Sequence, residues 1–246
     1  MRQTEDELWL ARHGLAEAHP TPLLAARLDV RRRAKLADSV LLAVFLLGAA
    51  LARVLGQLVV LTVLVVALLV GQWLVGRWVR RVDQRVGAEL PRRVAHPVKL
   101  GWSDVLGLPY AIFTVASYAG AFLLAASVLP VDDSELRYGA IVVLISLVGA
   151  GAGLVLQLRY LLASPAVAED EASLMADIVM RVEDARTLVT PSLVWSLPAI
   201  LLYGESLGWW NAISVVLVVA GVLALALIHT RTGGVGAAAR RVMEAR

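Results

Sequence analysis

Residues 168–186 read AEDEASLMADIVMRVEDAR and hold six carboxylates against two arginines. Carboxylates at that density are the material of acid–base pairs and cation sites, but such chemistry also needs a second group at fixed spacing. The four histidines, His13, His19, His96 and His229, are scattered over tails, a connection and one apolar run, without HExxH spacing. Ser103, Ser117, Ser146 and Ser196 have no base close by in sequence, and neither GxSxG nor the GxxxxGK[ST] phosphate loop occurs. No cysteine is present, which excludes thiol chemistry, disulfides and Fe–S clusters. The expectation is therefore a chain that is not an enzyme, with no catalytic residues, no metal and no cofactor. An energised process would need another subunit to bind nucleotide.

The acidic segment still has a pattern. Ser164-Pro165 marks a break, and Glu169-Asp170-Glu171 places negative charge where a helix N-terminus favours it. Leu174, Met175, Ile178, Val179, Val182, Ala185 and Val189 then recur at three- and four-residue spacing and define one apolar face. Asp177, Arg181 and Asp184 lie opposite, spaced for pairing along a helix. Helices that seek a membrane surface put Lys and Arg on the polar face, whereas this one carries a net −4 and is repelled by anionic lipid. Its apolar face has two destinations. One is the same chain, either the cytoplasmic extension of the second span or the basic connection after it, where RRVDQR offers opposite charge. The other is a cytoplasmic protein partner, docked through Leu174, Ile178, Arg181 and Val182.

The elements that hold this segment are apolar. Of 246 residues, 59% are hydrophobic, against about 45–50% in soluble domains, and the mean hydropathy is +0.74. Six runs approach the roughly 20 residues needed to cross a bilayer: 37–55, 57–77, 106–129, 138–161, 187–204 and 208–229. Backbone groups in lipid must bond to one another, so the spans are helical. The fold expected is all-α, a polytopic membrane bundle of about six transmembrane helices. Residues 1–36 form a helical cytoplasmic segment, 37–229 the bundle, and 230–246 a basic tail. MRQTEDELWL is acidic and polar, unlike a cleavable leader, so the first apolar run is expected to stay as an anchor.

Arginines orient the bundle. The N-terminal tail has seven basic residues, the 78–105 connection six and the C-terminal tail four, whereas Arg53 and Arg137 alone fall on the other side. The positive-inside rule puts both termini in the cytoplasm of a bacterial inner membrane. Trp73, Trp78 and Trp102 fall at the inner interface, and Trp209 and Trp210 at the outer one. The basic charge serves lipid headgroups, and no nucleic acid is expected. In the tail, acids after Thr4 mark one helix start, and LLAARLDVRRRAKLADS fits either an amphipathic helix on the membrane surface or a solvated lead-in.

No Asp, Glu, His or Lys occupies the middle of a span, which argues against a carboxylate proton relay. Gly149 and Gly153 form GxxxG in span four, a candidate for packing within the chain or along a homo-oligomer seam. Pro109 in span three, and Pro191 with Pro198 in span five, are candidates for broken helices around a cavity. VLGLPYAI (105–112) and VWSLPAIL (194–201) share V-x-x-L-P, a faint echo of a duplicated hairpin.

Six spans, cytoplasmic termini and helical cytoplasmic connections resemble the permease subunits of ABC-2-type exporters. The chain is similar as well to uncharacterised six-span membrane proteins of high-GC bacteria, in keeping with its arginine over lysine bias. The resemblance is one of architecture. It implies coupling to a separate ATPase through cytoplasmic helices, although YGESLGWW is a tight turn where those permeases carry an elaborated outer region. The function expected is a non-enzymatic membrane component, related to export or resistance, that works with cytoplasmic partners. The alternatives are a self-contained transporter or channel for an apolar or zwitterionic solute, and a membrane sensor or scaffold.

Overall fold

One uninterrupted helix, α2 (Pro22–Val54), runs from the arginine-rich lead-in through the first apolar run. In this computed structural model, residues 5–15, 21–89, 101–164, 171–190, 194 and 208–244 are described. The start of α2 follows from its sequence. The Thr21 hydroxyl accepts the Leu24 amide at 3.2 Å, and Pro22 presets the backbone angle of the first turn. No further proline interrupts the run to Val54. The lead-in is thus the stem of the first span, rather than a helix lying flat on the membrane or a solvated approach.

Among the described residues every regular element is a helix. The others are α1 (Glu5–Arg12), α3 (Leu58–Glu89), α4 (Trp102–Leu106), α5 (Leu108–Val128), α6 (Ser134–Ala163), α7 (Glu171–Leu188), α8 (Gly208–Arg231) and α9 (Val235–Glu244). Five of these helices are long and apolar enough to cross a membrane: α2, α3, α5, α6 and α8. The expected fifth span, 187–204, lies mostly outside the described residues, Pro191 and Pro198 included. Val194 within it is buried among the apolar side chains of the bundle.

Gly56 sits at φ +67° and turns α2 back into α3, a conformation that side-chain-bearing residues adopt with strain. The two helices then pack closely, because a Cβ on Gly48 would meet Leu64 at 3.1 Å and one on Gly71 would meet Leu41 at 3.1 Å. Asp133 caps α6 by accepting the amides of Glu135 and Leu136 at 2.9 and 3.1 Å. Helices α3 and α6 run parallel, since Thr62 meets Tyr138 at 2.8 Å at one end and Gln84 donates to Tyr160 at 2.9 Å at the other. Helix α8 runs antiparallel to α5, with Trp210 bonded to Ser127 at 3.0 Å and Leu217 against Gly120.

Two apolar cores result. One joins the spans through Phe45, Leu61, Leu68, Leu124, Val143 and Leu147. The second lies at one end, where α4 and α9 cover α7 through Val105, Ile178, Val182 and Ala239. Outside the first core the bundle is apolar again: Leu47 is 75% exposed, Val115 69%, Ile145 67% and Leu223 65%. An outward apolar surface of this extent is what lipid, not water, accommodates.

Candidate functional site

Helices α1, α4, α7 and α9, the stem of α2 and the tail of α3 gather at one end of the bundle, and α7 lies at their centre. Residues 176–182 of α7 are buried without interruption, the charged ones included. Asp177 is fully buried and Arg181 is 5% exposed, although both lie on the face that periodicity assigns to water. What takes the place of water is a set of charges from distant segments. Arg27 on the α2 stem donates to Asp177 at 2.6 Å and to Asp83 at 3.0 Å. Arg31, one turn on, donates to Asp83 at 3.0 and 3.1 Å and to Asp184 at 2.9 and 3.0 Å. Lys35, a further turn on, reaches Glu183 at 2.6 Å.

The inner cluster is neutral by formal charge: Arg27, Arg31 and Arg181 balance Asp83, Asp177 and Asp184. Neutrality is what allows it to be buried, because an unpaired ion in a low-dielectric interior is costly, by several kcal/mol or about that order. Arg181 serves twice. Its Nε donates to Asp177 at 2.8 Å, while its Nη1 donates to the carbonyls of Leu161 at 3.2 Å and Ser164 at 2.6 Å. Those carbonyls belong to the end of α6, which otherwise has no helical partners for them. Arg181 is thus a C-terminal cap for one span and a charge partner in another helix's core.

Local fields follow from this packing. Desolvation disfavours the charged form of Glu183, but Lys35, Trp9 and His13 outweigh it and hold the carboxyl below its usual range. Burial, helped by the nearby carboxylates Asp83 and Glu183, pushes Asp184 up against the pull of Arg31. Burial likewise lowers Arg186, opposed by Tyr110 and reinforced by the like charge of Arg241. Arg186 stacks over the Tyr110 ring at 4.9 Å and donates to the Gly233 carbonyl at 3.3 Å, linking α7 to α5 and to the turn before α9.

The residues expected to dock a partner occupy this same interior. Ile178 and Val182 are fully buried, Arg181 is engaged as described, and Leu174 packs at the edge of the second core. The apolar face of α7 is therefore covered by its own chain; its acids pair with Arg27, Arg31 and Lys35 of the α2 stem, and RRVDQR contributes to the cluster its acid, Asp83, rather than its arginines. Pro109 stands in the first turn of α5, after Gly107 at φ +73°. A proline there forfeits no helical hydrogen bond, so α5 is unbroken. Gly149 meets Leu69 only at ordinary contact distance, and nothing lies within 4 Å of a Cβ at Gly153. Close helix approach within the chain uses Gly48, Gly71 and Gly120 instead. Among the described residues no His, Asp and Glu side chains group as a metal would require.

Sequence reasoning singled out Asp177, Arg181 and Asp184 but missed Arg27, Arg31 and Asp83. Their signal was present. Arg27, Arg31 and Lys35 recur at four-residue spacing on one helix face, a stripe of like charge that a folded chain must neutralise.

The described elements define an all-helical, multi-pass membrane protein whose polar structure collects at one end. No family model, no curated protein and no solved structure matches the chain.

Proposed function

We propose that this chain is a non-enzymatic component of a bacterial inner membrane, working with cytoplasmic protein partners in export or resistance. The observation that carries the reading is the braced polar end. Helix α7 is clamped by Arg27 and Arg31 of α2, which Asp83 of α3 also holds, caps α6 through Arg181, and touches α5 through Tyr110. A load applied to this end would reach four spans together, as coupling to an external motor or signal requires. Because the apolar face of α7 is enclosed, a partner would bind the outer, charged surface, which includes Arg33 and Arg240.

Six crossings with cytoplasmic termini fit the same reading. The Thr114 hydroxyl, near the start of α5, donates to the carbonyl of Val189, whereas Trp210 bonds Ser127 at the far end of that helix. The two flanks of segment 190–210 thus attach at opposite ends of α5. The basic residues, all but Arg53 and Arg137 assigned by sequence to one side, support a cytoplasmic placement of that side. A self-contained transporter with two broken spans is less well supported, since Pro109 leaves α5 intact.

Photo-crosslinking in living cells tests the partner function. A crosslinker placed at Arg33 or Arg240 should give a discrete protein adduct, while one at Asp132 should not. Absence of any adduct from both polar-end positions at native expression would sink the reading.

A further inference from the structure

Six cations at the polar end are matched by carboxylates, whereas two on α3 are held in another way. Arg27, Arg31, Arg32, Arg33, Lys35 and Arg181 each have an acidic partner within 3.0 Å. Arg77 and Arg80 have none among the described residues. Asp83, three residues beyond Arg80, is occupied by Arg27 and Arg31. Instead the two guanidinium groups lie over aromatic rings. Arg77 sits 5.2 Å from the Trp73 ring and Arg80 5.4 Å from the Tyr160 ring. Stacking fixes their planes and leaves their N–H edges free to donate.

The two arginines lie beside the contact between the parallel helices α3 and α6. Gln84 donates to the Tyr160 hydroxyl at 2.9 Å and holds that ring in place. Gln157 Oε1 and Arg80 Nη1 both close over Gly76, where a Cβ would meet them at 3.1 and 3.4 Å. The site is open on its outer side, with Trp73 44% and Tyr160 38% exposed. It stands where the apolar run of α3 gives way to charge, at the level that tryptophan and tyrosine rings adopt beside lipid headgroups. At that level the two cations are open to an anion from the bilayer plane.

We propose that Arg77 and Arg80, framed by Trp73, Gln157 and Tyr160, bind the phosphate of an anionic phospholipid headgroup. Two guanidinium forks match the oxygens of a phosphodiester, and the acyl chains would lie along the apolar flank of α3 below. The inference rests on the membrane location alone and is independent of the partner function.

Native mass spectrometry of the delipidated full chain, titrated with phosphatidylglycerol or phosphatidylcholine, tests it. The wild type should retain phosphatidylglycerol preferentially. Arg77→Gln with Arg80→Gln should weaken that binding about thirtyfold, from roughly a fivefold loss per surface arginine. Arg33→Gln, which removes an exposed charge elsewhere, should leave it unchanged. Arg77→Lys with Arg80→Lys keeps the charge but not the fork and should fall between, which also guards against a misfolded glutamine variant. Equal binding of the two lipids, unaltered binding by the glutamine variant, or displacement of the lipid by equimolar inorganic phosphate would each overturn the proposal. So would an equal loss in the Arg33→Gln control.

Discussion

Asp177 is the residue on which the polar end turns. It is fully buried, it accepts from Arg27 and Arg181, and those arginines in turn tie α2 and α6 to α7. Removing it leaves two buried cations short of a partner. Breaking a buried pair from one side costs about 3–5 kcal/mol, much of it the desolvation of the charge left behind. Arg33, by contrast, is largely exposed and, among the described residues, paired with Asp29 one turn earlier, an arrangement worth about 0.3–0.5 kcal/mol. Thermal unfolding in detergent, followed by size-exclusion fluorescence, should therefore show a large loss for Asp177→Ala and almost none for Arg33→Ala. Indistinguishable melting of the two would mean that the cluster contributes little. Periodicity placed Asp177 opposite the apolar face, and that geometry is correct. What lay beyond it was the origin of its partners: Arg27 is 150 residues away, and nothing local in AEDEASLMADIVMRVEDAR reports a cation from so far along the chain.

At the level of elements, the apolar spans were legible because each is a contiguous run whose composition alone marks it. How the elements end and meet was less so. The stem of α2 reads as a surface helix if its arginines are assumed to seek lipid. The structure spends two of them on carboxylates of α3 and α7, so the helix continues straight instead. The docking of α1 on α9 depends on a detail of the same kind. Gly236 is buried, and a Cβ there would lie 2.6 Å from the His13 carbonyl oxygen, a backbone atom that no rotamer change can move aside. Gly236→Ala should force the two helices apart and destabilise the polar end by about 1–3 kcal/mol, the usual cost of overpacking. Gly153→Ala meets no atom within 4 Å and replaces a glycine inside α6. It should be neutral or raise stability by up to about 1 kcal/mol through helix propensity. A loss of stability in Gly153→Ala would instead reveal a close neighbour on that face, such as a second copy.

For the whole molecule, the sidedness of charge and mass makes orientation the most decisive property to measure. The turn around Asp132 and the end of α9 at Glu244 belong to opposite ends of the bundle by helix direction. Helix α5 leaves the polar end and finishes just before Asp132, whereas α8 runs back along α5 and hands over to α9 on α7. The absence of cysteine makes the chain its own blank for thiol labelling. Asp132→Cys should react with a membrane-impermeant maleimide in intact spheroplasts, and Glu244→Cys only after the membrane is opened. Asp132 tolerates the change on physical grounds, being exposed with a long 3.8 Å contact to Arg137 among the described residues. The reverse pattern would invert the bundle and place the charge cluster outside. Labelling of both in intact cells would mean that segment 190–210 does not cross, despite flanks held at opposite ends of α5. Either result would also remove the cytoplasmic setting on which partner engagement depends, so the labelling experiment comes before any search for partners.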